Sequence, residues 1–220
     1  VHAQIITVKQ DGTGDFTMIQ NAVNASFNGD TVLVYPGTYY ENLDLTSKGI
    51  VLAGTWLLNP EDSLVFQTII DGNHYESCIK SLSGSLWTHI IGFTIQNGFG
   101  TNLSSYKPYY YGNGGGILVV NSKIKVIECR VCNNFGKYGA GICATNSSLE
   151  LSGNSIFNNW AVKAGGGIRI ASSEVIIDSV DLNNVYLNYA SYGSDIEIAF
   201  SDTPSKIYLD TATVINPDDY

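Results

Sequence analysis

The chain has 220 residues, with 20 acidic side chains against 11 basic ones and a formal net charge of −9. Only two of the basic residues are arginines, Arg130 and Arg169. A nucleic-acid surface needs clustered Lys and Arg to displace phosphate counterions, and an anionic membrane asks for the same, so neither is expected as a partner. No run approaches the roughly 18–20 apolar residues that span a bilayer, so no membrane insertion is expected. The length fits one domain with a sizeable core, and many glycines, 14 tyrosines and few charges fit β-structure with frequent turns.

The opening "VHAQ" reads as the small-x-small end of a secretory signal cleaved after Ala3, the alternative being an ordinary first strand. Residues 1–3 are therefore expected to be a signal-peptide remnant and 4–220 a single domain, secreted or at the cell surface. Such a location would permit disulfides among Cys78, Cys129, Cys132 and Cys143, in any of three pairings. Cys129-x-x-Cys132 lacks a second pair at zinc-ribbon spacing, so no metal is expected there. In "TMIQNAVNASF", Ile19, Ala22, Val23 and Ser26 fall at i, i+3, i+4 and i+7, and Thr17-x-x-Gln20 has capping-box spacing. The segment 16–27 is predicted to be a helical cap over an otherwise open apolar end. After it, "TVLVYPG", "NLDLTSKGIVLAG" and "TIIDGN" are strands ending at Gly or Asn turns.

The second half repeats itself. "GGGILVVNSKIKVIECRVCNN" (114–134) is followed by "GAGICATNSSLELSGNSIFNN" (139–159), "GGGIRIASSEVIIDSVDLNN" (165–184) and a degenerate "GSDIEI" (193–198). Ile117, Ile142, Ile168 and Ile196 are 25, 26 and 28 residues apart, a period that marks a solenoid. Short β-branched stretches alternating in and out, with no helical period, predict three strands per rung. The fold expected is all-β, a right-handed single-stranded parallel β-helix, with the repeats clearest over 114–198. Inward columns should be Ile117–Ile142–Ile168–Ile196 and Ile124–Leu149–Val175. Outward neighbours on adjacent rungs should pair Lys125 with Glu150 and Arg169 with Glu197. Asn134, Asn159 and Asn184 are expected to form a side-chain amide ladder, with Gln96-Asn97 in the same place one rung earlier.

The segment "DGTGDFTMIQNAVNAS…GDTVLVYPGTYYENLDL" resembles the N-terminal cap and first rung of pectin-lyase-like β-helix proteins, and Gly37, Tyr39 and Glu41 match a Gly-x-Tyr-x-Glu signature of pectin methylesterases. "GFTIQNG" and the "GGGI…NN" copies resemble β-helix repeat proteins secreted by bacteria and polymorphic outer-membrane adhesins. The resemblance implies a fold and, if enzymatic, a carbohydrate esterase or a polysaccharide lyase, with calcium as a cofactor only for a lyase. The later esterase motifs, Asp-Phe-Ile-Phe-Gly and Leu-Gly-Arg-Pro-Trp, do not occur. Gly37 is therefore read as permitting a turn, Tyr39 as packing against the cap and Glu41 as bonding nearby backbone. No two of Asp44, Asp71, Asp178, Asp181 and Asp195 share a rung offset, and His2, His74 and His89 lack metal spacing. No catalytic residue, metal or other cofactor is therefore assigned.

The segments after the Asn turns emerge on one edge and carry Phe99, Tyr106, Tyr109, Tyr110, Tyr111, Phe135, Tyr138, Trp160, Tyr186, Tyr189 and Tyr192. Residues 98–113 are the longest insertion among the repeats, and such insertions often carry function. Flat rings with polar tips suit sugars; a layer folded over the rungs is the competing reading. Phe99, Tyr106, Tyr109, Tyr110, Tyr111, Tyr138 and Trp160 are the candidate carbohydrate-binding residues, with a polysaccharide or glycan as partner. A non-catalytic surface or adhesion module is the first expectation. A carbohydrate-active enzyme and a structural stalk, joined to further domains of a longer chain, are the alternatives.

Overall fold

A computed structural model of the chain describes residues 3–103, 112–178, 181–199 and 204–208. The chain winds through three parallel sheets in turn, so every strand pairs with the strand one rung away rather than with its neighbour in sequence. Among the described residues sheet A has eight strands, from Ile5–Val8 and Thr31–Val34 at one end to Glu174–Ile177 and Lys206–Tyr208 at the other. Counted the same way, sheet B has six, from Gly37–Tyr40 to Asn184–Tyr186, and sheet C six, from Leu43–Asp44 to Ile196–Ile198. This is a parallel β-helix. A fourth pair, Phe135–Tyr138 with Trp160–Ala164, runs along the edge between sheets B and C.

Side-chain alternation builds the core. On sheet C, Ile117 is in register with Ile79 and Ile142, Ile142 with Ile168, and Ile168 with Ile196. On sheet A, Ile124 meets Leu149 and Leu149 meets Val175, as the period predicts. Sheet B contributes Ile70, Ile95, Val131 and Ile156. All of these side chains except the half-buried Ile196 are essentially solvent-free, each adding about 1.5–3 kcal/mol of transfer free energy. The outward pairs also form. Lys125 bridges Glu150, and Arg169 Nε lies 2.9 Å from Glu197 Oε2, an ion pair without hydrogen-bond alignment.

The "GGGI" motif has two separate steric causes. Gly114, Gly139, Gly165 and Gly193 all have φ between 55° and 65°, and a Cβ on any of them would lie 2.7–2.8 Å from the Cβ of the residue four further on. Only glycine allows the turn to lie flat on the outward face of sheet C. The third glycines, Gly116, Gly141 and Gly167, would each place a Cβ within 3.0 Å of a ladder amide, on Asn134, Asn159 and Asn188 respectively.

That ladder departs from expectation. Asn159 Oδ1 accepts from the backbone N and the Nδ2 of Asn134, both at 3.0 Å, and Asn188, not Asn184, does the same for Asn159. Asn188 in turn donates to Asp195 Oδ1 at 2.8 Å, which ends the row. Asn183 belongs to a second ladder, accepting from Asn154, while Asn184 starts an exposed strand. The register explains the shift. Leu151 pairs with Ile177, 26 residues on, but Ser155 pairs with Asn184, 29 on. Three extra residues in the intervening turn slide the second Asn-Asn pair out of phase with the first. One rung earlier the position of Asn134 is held by Gly98, and Asn97 shares the left-handed φ of Asn133.

The N-terminal helix α1 (Ile19–Ala25) is shorter than the predicted 16–27, and no side chain caps it in the capping-box manner. Instead Glu41 Oε1 and Oε2 accept the backbone N–H groups of Ile19 and Gln20, both at 2.8 Å. A carboxylate on the positive end of a helix satisfies two orphan donors at once. Tyr39 is buried with Ile19, Ala22 and Val23, as expected, and donates its hydroxyl to the Tyr35 carbonyl at 2.9 Å. Gly37 lies within a strand rather than a turn. Its missing Cβ leaves room for Gln10 Oε1, which a side chain would meet at 2.6 Å. A second helix, α2 (Asp62–Gln67), sits in an insertion that the repeat pattern does not cover.

Candidate functional site

The aromatic edge follows from the same register. Phe135 is paired with Trp160, and Trp160 bridges to Tyr189. Phe135 N donates to Gly98 O just as Trp160 N does to Asn134 O, which places Phe99 in the same column one rung earlier. Four rungs thus carry Phe99, Phe135, Trp160 and Tyr189 in a row. Phe99 and Phe135 stack at 4.9 Å with 19° between planes, whereas Trp160 and Tyr189 meet edge-on at 4.8 Å and 61°. A second column, Phe157 on Tyr186 at 5.3 Å, stands across the turn on sheet B.

This arrangement sorts the candidate residues. A sugar ring needs an aromatic face, and stacked rings spend their faces on each other. Phe99 is half-buried against Phe135, and Tyr138 lies under the Arg169 guanidinium at 4.6 Å. Trp160 is 54% exposed and Tyr189 57% exposed, so the open surface is at the last rungs of the row. Tyr106, Tyr109, Tyr110 and Tyr111 lie outside the described residues. Phe157 was not among the edge aromatics expected from the sequence, although "IFNNW" (156–160) and "VYLNY" (185–189) match residue for residue once Asn188 replaces Asn184 in the alignment.

The carboxylates are largely engaged in holding the fold. Glu41 caps α1; Asp71 accepts from Asn73 N, Gln96 Nε2 and Asn97 Nδ2; Asp195 closes the Asn ladder; Glu150 and Glu197 pair with cations. The turn insertion also brings acids together that the rung offsets keep apart in sequence. Ser152 Oγ donates to Asp178 Oδ2 at 3.1 Å, and the Glu128 carboxyl is raised by burial first, then by the charges of Asp181 and Asp62. Among the described residues no three His, Cys, Asp or Glu side chains converge as a metal site. All four cysteines are free. Burial pushes the Cys129 thiol up to about 12 and raises those of Cys78, Cys132 and Cys143, so none is a ready nucleophile at neutral pH. His89 stands outward on sheet A in register with Lys125, and burial, then that lysine, lowers its pKa.

A second concave surface lies where sheet C turns into sheet A. This open groove of about 410 Å³ is lined by Asn121, Lys123, Asn146, Ser148, Ser172 and Glu174, among others. The hydroxyls of Ser122, Ser147 and Ser173 beneath it are used internally, accepting or donating from rung to rung. It presents no aromatic face.

No family model matches the chain, and no curated protein matches it. Among solved structures it is similar to YbhC of Escherichia coli, at 12% identity and a TM-score of 0.45, over 92% of this chain and 66% of that one. It is also similar to a pectin methylesterase from carrot, at 14% identity and a TM-score of 0.39, over 90% of this chain and 89% of that one. The chain therefore spans 66% of the length of YbhC. Likeness at this level carries no activity across, and the chain stands as a parallel β-helix whose edge ends in an open pair of aromatic rings.

Proposed function

We propose that the protein binds a polysaccharide or another glycan at the aromatic edge, without transforming it chemically. The observation that carries this reading is the Trp160–Tyr189 pair, more than half exposed and fixed by strand register at the end of an aromatic row. Rings held by a rigid solenoid lose little conformational freedom on binding, which favours affinity. The structural duties of Glu41, Asp71, Asp195, Glu150 and Glu197 support binding over catalysis, because an acid–base pair needs carboxyls free to face a substrate.

The test is a glycan array with the purified chain, followed by titration of tryptophan fluorescence with each hit. Trp160→Ala and Tyr189→Ala should each weaken binding roughly tenfold, the scale of one lost ring contact, while melting temperature holds. Binding to no glycan, or unchanged affinity in both variants, would overturn the reading. Release of unsaturated sugars or of methanol from pectin would replace it with a catalytic one.

A further inference from the structure

The two arginines of this acidic chain have different surroundings. Arg169 is paired with Glu197, whereas Arg130 has no carboxylate within ion-pair distance among the described residues. Arg130 points outward from sheet B, in register with Thr94 on one side and Ser155 on the other. Helix α2 lies over the Thr94 side, where Thr94 Oγ1 donates to the Val65 carbonyl at 2.8 Å. From that side the Phe66 ring reaches the guanidinium at 4.5 Å; from the opposite side Phe157 reaches it at 5.2 Å. Phe157 is itself backed by Tyr186.

Contact with two rings holds a guanidinium in place through its charge and spends none of its N–H groups on an oxygen acceptor. Five donors remain in the plane of the fork, and no oxygen of a described residue accepts from them. Ser155 and Asn184, on the next two rungs of the same column, present a hydroxyl and an amide whose side chains make no hydrogen bond among the described residues. A fixed fork with free in-plane donors matches two oxygens of one anionic group.

We propose that the outer face of sheet B holds an oxyanion site, in which the N–H edge of Arg130 binds a carboxylate, sulfate or phosphate group and Ser155 and Asn184 add donors. The site does not rest on the glycan reading, since it lies on the sheet face, across the turn from Trp160. Acidic groups lie nearby: at the preceding turn the Glu128 carboxyl is raised by burial first, then by the charges of Asp181 and Asp62. They make the surroundings negative and oppose an anion, so binding must come from the bidentate fork rather than from the general field.

The experiment is an NMR titration of the intact chain with acetate, sulfate and phosphate in separate arms at fixed ionic strength. The signals followed are the Arg130 Nε–H and the backbone amides of Ser155 and Asn184. Saturable shifts of all three with at least one anion are expected, and the arm with the tightest curve identifies the chemistry. Arg130→Lys should weaken binding roughly tenfold, because a point charge cannot donate bidentately, and Arg130→Gln should abolish saturation. The wild-type curves stand even if a variant folds poorly. No saturable shift with any anion would reduce Arg130 to a pin holding α2 through Phe66, and so would saturation that survives in Arg130→Gln.

Discussion

Leu187 holds a left-handed backbone, φ 53°, at the turn where the preceding rungs place Asn97, Asn133 and Asn158 at φ 59°, 56° and 53°. Asparagine tolerates that region because its short amide bonds locally; a leucine Cβ crowds the following carbonyl there. The Leu187 side chain is 67% exposed, so it recovers little by burial. Leu187→Asn should therefore stabilise the protein by about 1 kcal/mol, read as a higher urea midpoint at unchanged slope. An unchanged or lower midpoint would mean that the Leu187 side chain makes contacts worth as much as the strain. The same residue bears on the glycan site, since it sits between Tyr186 and Tyr189. A stiffer turn should leave ring geometry and glycan affinity intact.

At the scale of elements, the Asn ladder separates what was legible in the sequence from what was not. Removing the Asn159 side chain strands two donors on Asn134 and takes a partner from the Val131 carbonyl and from Asn188. Asn159→Ala should cost roughly 3 kcal/mol, as buried polar groups lose their partners. Asn184→Ala should stay within about 0.5 kcal/mol, as an exposed change does. Equal costs would restore the simple 25-residue alignment. That alignment placed the inward columns and both outward ion pairs correctly, because strand register depends only on the offset within a rung. It misplaced Asn184 because a three-residue insertion in one turn restored an apparent period by coincidence. The Glu41 cap was half legible: its role in bonding backbone followed from the missing esterase motifs, but its partner is 22 residues away in sequence. The Arg130 site was not legible, because Phe66 comes from an insertion outside the repeat.

For the whole molecule, a solenoid is close to a one-dimensional stack in which each rung is stabilised by its neighbours. The two ends differ. At one end α1 seals the core, with Glu41 fixing its first turn. At the other, the inward column that buries Val119, Ala144 and Ile170 completely reaches Ile198, which is 57% exposed. Ile170→Ala should then cost about 2–5 kcal/mol, as a core truncation does, and Ile198→Ala well under 1 kcal/mol. Amide exchange should follow the same gradient. The strands Ile117–Val120, Lys123–Ile127 and Ile142–Thr145 should open only with global unfolding, and Ile196–Ile198 and Lys206–Tyr208 should exchange first. Uniform protection across all rungs would show instead that the stack unfolds as one block, with its coupling between rungs exceeding the deficit at the exposed end. The gradient matters for function, because Trp160 and Tyr189 lie towards the less protected end. If that end frays, glycan binding should slow its exchange selectively, coupling ligand affinity to the stability of the last rungs.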